Sequence, residues 1–310
     1  MAAIQTAVGA IAGLVADRII GEPPDRVHPV AVMGRQLEKL EDRTYADSRL
    51  AGLGHLGVAA VVGGGTGIGL DRLLGRGLGT ALSVTTASAG SMLGQTALHI
   101  GDLLDSGDID GARREIRSLV GRDPTNLDEA EISRAVIESV AENTVDAVTA
   151  SLFWALVAGS GAVWLHRTVN TLDAMVGYKS DRYRNFGWAS ARLDDCLNWI
   201  PARVTALSVA LASGSAAGQV LSVIRRDGGK HPSPNGGQVE AAFAAALGVT
   251  LGGTNTYGAI TESRGLLGNG PRPTSADISR AVALAQRTTW ISMALTTAIA
   301  LAKQQPTAKA

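Results

Sequence analysis

Residues 50–70 read LAGLGHLGVAAVVGGGTGIGL, a run with no Asp, Glu, Lys or Arg in which His55 is the only ionisable side chain. The hydrocarbon core of a bilayer requires about 20 predominantly apolar residues in each spanning helix. Gly and Ala, which are abundant in this run, allow helices to approach closely in lipid. The stretch therefore predicts a membrane-spanning helix.

Six more windows of the chain also lack charged residues. All 28 basic and all 28 acidic residues lie outside the seven windows. Because soluble helices seldom run this far without a charge on any face, we expect an all-α, polytopic integral membrane protein. It would be a single catalytic domain over residues 1–310 with about 5–7 apolar helices, some of them re-entrant. The alternative is a soluble protein with a large buried helical core. The six windows are 2–16, 77–101, 147–165, 204–224, 241–261 and 288–302.

The overall composition excludes two classes of protein. The formal net charge is zero, so there is no basic excess to neutralise the phosphates of a nucleic acid. The single cysteine, Cys196, excludes an intramolecular disulfide framework and a cysteine-only zinc site.

Long polar loops, predicted to be helical, separate several of the windows. If 147–165 enters the membrane and returns, with its bend near Gly159-Ser160-Gly161, the positive-inside rule places residues 102–203 on the cytoplasmic side. We expect the loops to form one active cleft there. The loops are residues 17–49, 102–146, 166–203 and 225–240.

The second of these loops contains a helix start signal. Thr125-Asn126-Leu127-Asp128 has the spacing of a capping box, and acidic residues follow in the first turn. We interpret Asp128 and Glu129 as capping residues. Glu142 and Asp146 lie beside an apolar window. They are interpreted either as functional-site residues or as part of a solvent-exposed helix face. A helix from Asp128 onward places four acids near one face: Glu131, Glu138, Glu142 and Asp146.

The third loop carries adjacent carboxylates. Pro201 predicts that a helix from about Gly187 stops or kinks at Ile200. On that helix Asp194 or Asp195 can converge with Asn198, and such oxygen ligands suit Mg²⁺. The alternative is a structural ion-pair network. It would consist of Arg192, Asp194, Asp195 and Arg203.

Aromatic residues and histidines in the loops have two interpretations. Trp188 and Trp199 are either membrane-interface anchors or ligand-stacking groups. His28 and His231 lie in Pro-containing loops, where a site role competes with a structural role. His55, His99 and His166 are interpreted as packed or interfacial, and the five histidines show no zinc-ligand spacing.

Two motifs are discounted as functional signals. The glycine spacing in Gly63–Gly69 does not match a nucleotide loop and lies within a membrane-length window, so we assign it to helix packing. Asp110-Gly111-Ala112-Arg113 lacks the spacing of membrane alcohol phosphotransferases and predicts a turn and a helix start.

Seven segments lie in order along nearly the whole chain: Gly21-Glu22-Pro23-Pro24, His28-Pro29-Val30, Val120-Gly121-Arg122-Asp123, Glu138 to Asp146, Val169 to Tyr178, Phe186 to Arg203, and His231-Pro232-Ser233-Pro234-Asn235. Together they resemble the CobD/CbiB family of membrane-bound adenosylcobinamide-phosphate synthases. Glu22 stands where the family usually has Asp.

The resemblance implies a reaction in cobalamin biosynthesis. Aminopropanol, or its phosphate ester, would be attached as an amide to a propionate carboxylate of adenosylcobyric acid. This reaction class implies ATP and Mg²⁺, and cobalt would enter only as part of the corrinoid substrate. No Walker-type nucleotide motif occurs in the chain. Other membrane-associated cobalamin-assembly enzymes are expected partners. A transporter, a non-catalytic scaffold for corrinoid enzymes and a membrane alcohol phosphotransferase stay open as alternatives.

The reaction assigns roles to residues of the matching segments. Glu142, Asp146, Asp194 and Asp195 are predicted to supply metal ligands or the catalytic base. Arg192 and Arg203 are predicted to hold a phosphate or a carboxylate. The further residues predicted to contact substrate are His28, Arg35, Asn143, Asn170, Asp173, Tyr178, Trp188, Asn198, His231, Ser233 and Asn235.

Overall fold

The structure is a computed structural model that describes residues 2–21, 26–88, 90–121, 123–257 and 260–302. Glu22 and Arg122 belong to the motifs quoted above and lie outside the described residues. The same is true of Pro23 and Pro24.

The described residues form helices almost throughout. Short 3₁₀ turns occupy Ile116–Ser118 and Gly214–Ala216, and a π-helix occupies Thr144–Thr149. Two strands, β1 Leu251–Tyr257 and β2 Ile260–Leu267, pair as an antiparallel hairpin. The α-helices are α1 Ala2–Ile20, α2 Pro29–Thr44, α3 Arg49–Leu74, α4 Arg76–Ala87, α5 Gly90–Asp105, α6 Ile109–Glu115, α7 Glu129–Asn143, α8 Ala150–Ala158, α9 Ser160–Val176, α10 Trp188–Leu197, α11 Trp199–Ala212, α12 Ala217–Asp227, α13 Gly236–Leu247 and α14 Ser275–Ala302.

The hairpin corrects the expectation of an apolar helix through 241–261. Helix α13 ends at Gly248, which has left-handed angles of φ 75° and ψ 31°. Gly252 and Gly253 also have positive φ, and the strand register shifts beside them, where Gly265 and Leu266 of β2 lie opposite Gly252 of β1. Because glycine adopts this conformation at little steric cost, the glycines end the helix and permit the bulged strand. Lack of charge in this window therefore indicated burial rather than a span.

Three other windows are also interrupted. The 204–224 window divides into α11 and α12 around the turn at Gly214–Ala216. The 77–101 window divides into α4 and α5, with Ser88 extended after α4. Gly159, at φ 77°, separates α8 from α9, which confirms a bend at the predicted position. Re-entry of this segment into a membrane stays a prediction.

Helix α3 alone among the described helices is long and apolar enough to cross a membrane. It has 26 residues and a mean hydropathy of 1.4 in its best window, of which 28% is buried. Exposed apolar side chains on this helix include Leu53, Val58 and Val61. The quoted stretch thus forms the expected helix, and the number of spans stays a prediction.

The described chain divides into two compact units. Unit 1 comprises residues 1–89, 146–201 and 293–310, and unit 2 comprises residues 90–145 and 202–292. Each unit has its own hydrophobic core, so each can be described by itself.

Unit 1 packs its helices closely through glycine. A Cβ on Gly63 of α3 would collide with the side chain of Thr168 on α9, and one on Gly67 would collide with the backbone of Ser160. Because Gly63 and Gly67 have no side chain, α3 and α9 can pack closely against each other. This confirms that the glycine run serves helix packing.

Unit 2 is built around α7 and α13. Ile132 and Ile137 of α7 and Phe243 of α13 are fully buried in one core with residues of α5, α11 and α14. This packing fixes the carboxyl end of α7 and the start of α13, where ionisable residues lie.

Candidate functional site

Helices α9 and α10 of unit 1 together hold six polar residues, which we call the aspartate cluster. Helix α9 carries His166, Asn170 and Asp173 at offsets of four and three, which places them along one face. The cluster comprises these three with Asp194, Asp195 and Asn198.

A helix break positions Asn198. Helix α10 ends at Leu197, Asn198 is its C-cap, and α11 begins at Trp199 with Pro201 in its first turn. A proline is tolerated there because the first-turn amides have no partner within the helix. A helix break just before Pro201 is therefore present, but the predicted position is wrong: the helix ends at Leu197, and Ile200 is helical within α11.

Amide groups surround the carboxylate of Asp194. Asn198 Nδ2 lies 3.2 Å from Oδ1 and 3.1 Å from Oδ2, and Asn170 Nδ2 lies 3.3 Å from Oδ1. His166 Nε2 lies 2.8 Å from Asn198 Oδ1. Since Asn198 donates to Asp194 through its nitrogen, its oxygen accepts from His166 Nε2–H. The hydrogen bonds thus run from His166 through Asn198 to Asp194 and fix the carboxylate in place.

Burial and like charge perturb the titration of the cluster. Burial, followed by the charges of Asp194 and Asp195, raises the pKa of Asp173 to about 7. Burial also raises the pKa of Asp194 and that of Asp195. Burial lowers the pKa of His166 to about 4, so its imidazole is neutral at pH 7.

The aspartate cluster offers oxygen ligands, which a hard divalent cation prefers. Its three carboxyl groups share a region where desolvation disfavours their charged forms, and the hydrogen-bond partners of Asp194 among the described residues are amides. A divalent cation would offset the like charges. Asp194 and Asp195 are the residues that would hold it, although the three aspartates do not form a group whose ligand atoms all lie within 4.8 Å of one another among the described residues.

The alternative ion-pair network is only partly reflected in the structure. The hydrogen-bond partners of Asp194 in the described part of the chain are amides, while Arg192 is exposed and its charge acts on Asp195. Arg203 belongs to unit 2, where its Nη1 donates to Asn235 Oδ1 at 2.7 Å and its Nη2 donates to the Pro234 carbonyl at 3.1 Å.

Unit 2 contains a second group of ionisable residues, which we call the glutamate–histidine cluster. Glu142 comes from the last turn of α7, Glu240 from the second turn of α13, and His231 from the loop before α13. One ligand atom of each residue lies within 4.8 Å of those of the other two. Glu240 is fully buried, and burial with the charges of Glu142 and Glu138 raises its pKa well above the usual range.

The loop that carries His231 is held by its own polar groups. Ser233 N donates to His231 Nδ1 at 3.0 Å, and Ser233 Oγ accepts from the amide of Gly236 at 3.2 Å. Asn235 accepts from Arg203 as described. The predicted residues His231, Ser233, Asn235 and Arg203 therefore lie together.

The other carboxylates on and around α7 do not belong to the glutamate–histidine cluster. Asp128 is the N-cap, and a capping box with Glu131 confirms capping, three residues after Thr125. Glu138 Oε1 accepts from the amide of Gly252 at 2.9 Å and so serves the fold. Asp146 lies in the π-helix of unit 1, where the uniform α-helical spacing that predicted a shared face no longer holds.

Other predicted site residues have local partners. His28 is buried and caps α2, its Nδ1 accepting from Val30 N at 3.2 Å. Arg35 donates to the carbonyl of Arg26 at 2.9 Å. Asn143 donates to the carbonyl of Ser139 on its own helix at 2.9 Å.

Two aromatic residues of the prediction are exposed. Trp188 has the guanidinium of Arg49 stacked 5.0 Å from its ring centroid, and Tyr178 is half exposed. Their substrate contacts stay predictions, as does the single cleft formed from all four polar loops.

The prediction that His166 is packed is confirmed, since it is fully buried, and the structure adds a hydrogen bond to Asn198. Glu240 is not among the predicted site residues, although it is the isolated charge directly before the 241–261 window. A lone carboxylate at the edge of a buried apolar run was the signal available for it.

Together, fold and clusters define a predominantly helical protein with a membrane-length helix and two buried groups of ionisable side chains. Residues 10–285 match the family model described as CobD/Cbib protein. The chain therefore belongs to the CobD/CbiB family, as its motifs predicted.

Curated relatives are similar in sequence to this chain over most of their length. A protein named cobalamin biosynthesis protein CobD from Mycobacterium tuberculosis H37Rv is 46% identical over 286 residues, covering 90% of this chain and 91% of its own. Proteins of the same name from Halalkalibacterium halodurans and Chromobacterium violaceum are 39% and 41% identical, covering 91% and 93% of this chain and 92% and 95% of theirs. No solved structure matches this chain.

Proposed function

We propose that this protein joins aminopropanol, or its phosphate ester, to a propionate carboxylate of adenosylcobyric acid during cobalamin biosynthesis. Membership of the CobD/CbiB family supports a role in cobalamin biosynthesis and a corrinoid substrate. The observation that carries the proposal of catalysis is the aspartate cluster. Its buried carboxyl groups are oriented by amides, which is an arrangement suited to cation-assisted chemistry.

Amide formation in water requires an activated carboxylate. In the proposed reaction, the propionate oxygen attacks the γ-phosphorus of ATP, giving an acyl phosphate and ADP. The amine then attacks the acyl carbon, and phosphate leaves as the C–N bond forms. Mg²⁺, when bound, would neutralise charge on the phosphate oxygens.

The residues of the aspartate cluster have distinct parts in this proposal. Asn198 and Asn170 fix the orientation of Asp194 through its two oxygens. Asp173, whose pKa is near 7, can accept a proton from the ammonium group of the incoming amine. Asp195 lies near the positive charges of Arg192 and Lys179, which favour its ionised form.

Residues outside the cluster stay in the proposal as further contacts. Asp146 supplies an additional carboxylate, and Arg192 binds an anionic part of a substrate. Within unit 1, His28, Arg35, Tyr178 and Trp188 keep their predicted role as substrate contacts. Within unit 2, Asn143, Arg203, Ser233 and Asn235 keep theirs, and Glu142 and His231 belong to the same unit.

The proposal includes a multi-pass location in the cell membrane. Exposed apolar side chains on α1, α3 and α4 of unit 1 support it, because such a surface is unfavourable in water. We propose that residues 102–203 face the cytoplasm. In a C196S background, cysteines placed as E142C and D195C should react from the same side of sealed vesicles. Labelling from opposite sides would contradict the arrangement.

Reconstitution tests the reaction itself. Purified full-length protein in lipid vesicles is incubated with adenosylcobyric acid, aminopropanol phosphate, Mg²⁺ and ATP, and products are followed by mass spectrometry. The proposal predicts an amide product with equimolar ADP and phosphate. Consumption of a nucleotide-linked alcohol without an amide would indicate a phosphotransferase. Uptake of corrinoid without chemical change would indicate a transporter, and partner binding alone would indicate a scaffold.

A further inference from the structure

We infer that Glu142, His231 and Glu240 form a binding site for a divalent transition-metal ion such as Zn²⁺. The inference goes beyond the proposed function, because it concerns a second ion held by a different donor set in unit 2. No residue of the aspartate cluster takes part in it.

The first observation is convergence. The three side chains come from α7, from the loop before α13 and from α13 itself, and Glu142 lies 89 residues before His231 along the chain. Their ligand atoms nevertheless lie within 4.8 Å of one another. His231 Nε2 lies 3.5 Å from Glu240 Oε1. With metal–ligand bonds of about 2.1 Å, two ligands of a tetrahedral ion are about 3.4 Å apart, so this pair already has the required separation.

The second observation is the state of Glu240. It is fully buried, and no backbone or amide N–H of the described residues donates to its carboxylate oxygens, which face the carboxyl group of Glu142, with Oε1 3.5 Å from His231 Nε2. Its neighbours on α13, Ala241, Ala242 and Phe243, are fully buried apolar residues. A carboxylate in such surroundings is costly unless a proton or a cation accompanies it.

The charges around Glu240 favour a cation. Glu142 and Glu138 face it with like charge, and Arg264 is the basic group that favours its ionised form. Arg134 lies 3.7 Å from Glu138 and so is directed to that carboxylate. A divalent ion would offset the excess of carboxylates.

The imidazole of His231 indicates which kind of metal ion the site would bind. Nitrogen ligands favour Zn²⁺ and related ions over Mg²⁺, which prefers oxygen. In this structure His231 Nδ1 accepts from Ser233 N at 3.0 Å, which leaves the ring proton on Nε2. Binding a metal ion through Nε2 would move that proton to Nδ1, which lies 3.4 Å from the carbonyl oxygen of Ser233. His231 is thus held by its loop with Nε2 directed to Glu240.

Gly236 leaves room beside the cluster. A Cβ at this position would lie 3.1 Å from Glu142 Oε1 and 3.2 Å from His231 Cε1, closer than ordinary van der Waals contact. Any other residue would therefore press on two of the three ligands. This predicts that G236A weakens metal binding without removing a ligand.

Zinc binding by the purified protein tests the site. Full-length protein in detergent is freed of metal with a chelator, and Zn²⁺ affinity is measured by competition with a chromophoric chelator. We expect one tightly bound Zn²⁺ per chain, and at least about a 100-fold weaker affinity for E240Q, H231Q and E142Q. E129Q is the matched control, because Glu129 is an exposed residue of the same helix α7. Its affinity should equal that of the wild type.

A measurement on the wild type alone guards against misfolded variants. Co²⁺ bound in place of Zn²⁺ should give ligand-field bands that disappear on addition of Zn²⁺. Absence of stoichiometric binding by the wild type, or an affinity of folded E240Q within a few-fold of it, would overturn the inference. Because no corrinoid or ATP is used, this failure is distinguishable from a failure of amide formation.

Discussion

The two buried clusters differ in how their carboxylates are accommodated. In unit 1, Asp194 receives three hydrogen bonds from two asparagines. In unit 2, no backbone or amide N–H of the described residues donates to Glu240, whose neighbours are His231 at 3.5 Å and the carboxyl group of Glu142. Amide donors orient a carboxylate so that it can bind and release a ligand. A buried carboxylate without such donors requires a proton or a permanently bound cation. The comparison teaches that the first cluster suits catalysis and the second suits a tightly held ion.

The largest expected effect separates the two clusters by activity. D194N removes a proposed Mg²⁺ ligand, so amide formation should fall by at least about 100-fold while Zn²⁺ binding is unchanged. The rate of amide formation by mass spectrometry and the Zn²⁺ affinity report these two effects. D181N is the control, because Asp181 is a fully exposed residue of unit 1. An equal loss of Zn²⁺ binding in D194N would show that the clusters are not independent.

The next effect concerns pH. Because burial raises the pKa of Asp173 to about 7, folding favours its protonated form, and this contribution to stability is lost as pH rises from about 4 through 7. Without Mg²⁺, the wild type should lose roughly 3 kcal/mol across this range from Asp173, and D173N should lose correspondingly less. Thermal unfolding in detergent at several pH values checks this. Identical pH profiles would remove Asp173 from the account.

A smaller effect tests the hydrogen bonds around Asp194. N198L removes two donors to Asp194 and the acceptor for His166, so the free energy of unfolding should fall by about 1–3 kcal/mol. N143L is the comparison variant, since Asn143 bonds to Ser139 of its own helix and is half-buried. A larger loss for N143L than for N198L would contradict the importance assigned to Asn198.

The smallest effect has the opposite sign. In metal-free protein E240Q removes a buried charge that lacks donors, so we expect stability at pH 8 to rise by about 1 kcal/mol. With Zn²⁺ present, the wild type should become the more stable of the two. Chemical unfolding with and without Zn²⁺ measures both. Destabilisation of the metal-free protein by E240Q would indicate that Glu240 is a satisfied structural residue.

The features that the sequence predicted correctly depend on helical spacing and on the properties of single residues. The Asp194–Asn198 contact and the packing role of Gly63 follow from helical spacing and side-chain size. Each involves residues close in sequence or a property of one residue.

What it missed depended on contacts across long stretches of chain. The convergence of Glu240 on Glu142 and His231 follows from the packing of α13 against α7, which spacing along the chain does not report. The hairpin after Gly248 was hidden because a buried strand and an apolar helix can share the same lack of charge. Absence of charge indicates burial and does not by itself say what buries the segment.

One paired assay tests the central claim most directly. Wild-type protein and the D194N/D195N double variant, both reconstituted and shown to be folded, receive adenosylcobyric acid, aminopropanol phosphate, ATP and increasing Mg²⁺. We predict Mg²⁺-dependent amide product, matched by ADP, from the wild type and none from the double variant. Equal amounts of product from both proteins, or none from the wild type, would contradict the account.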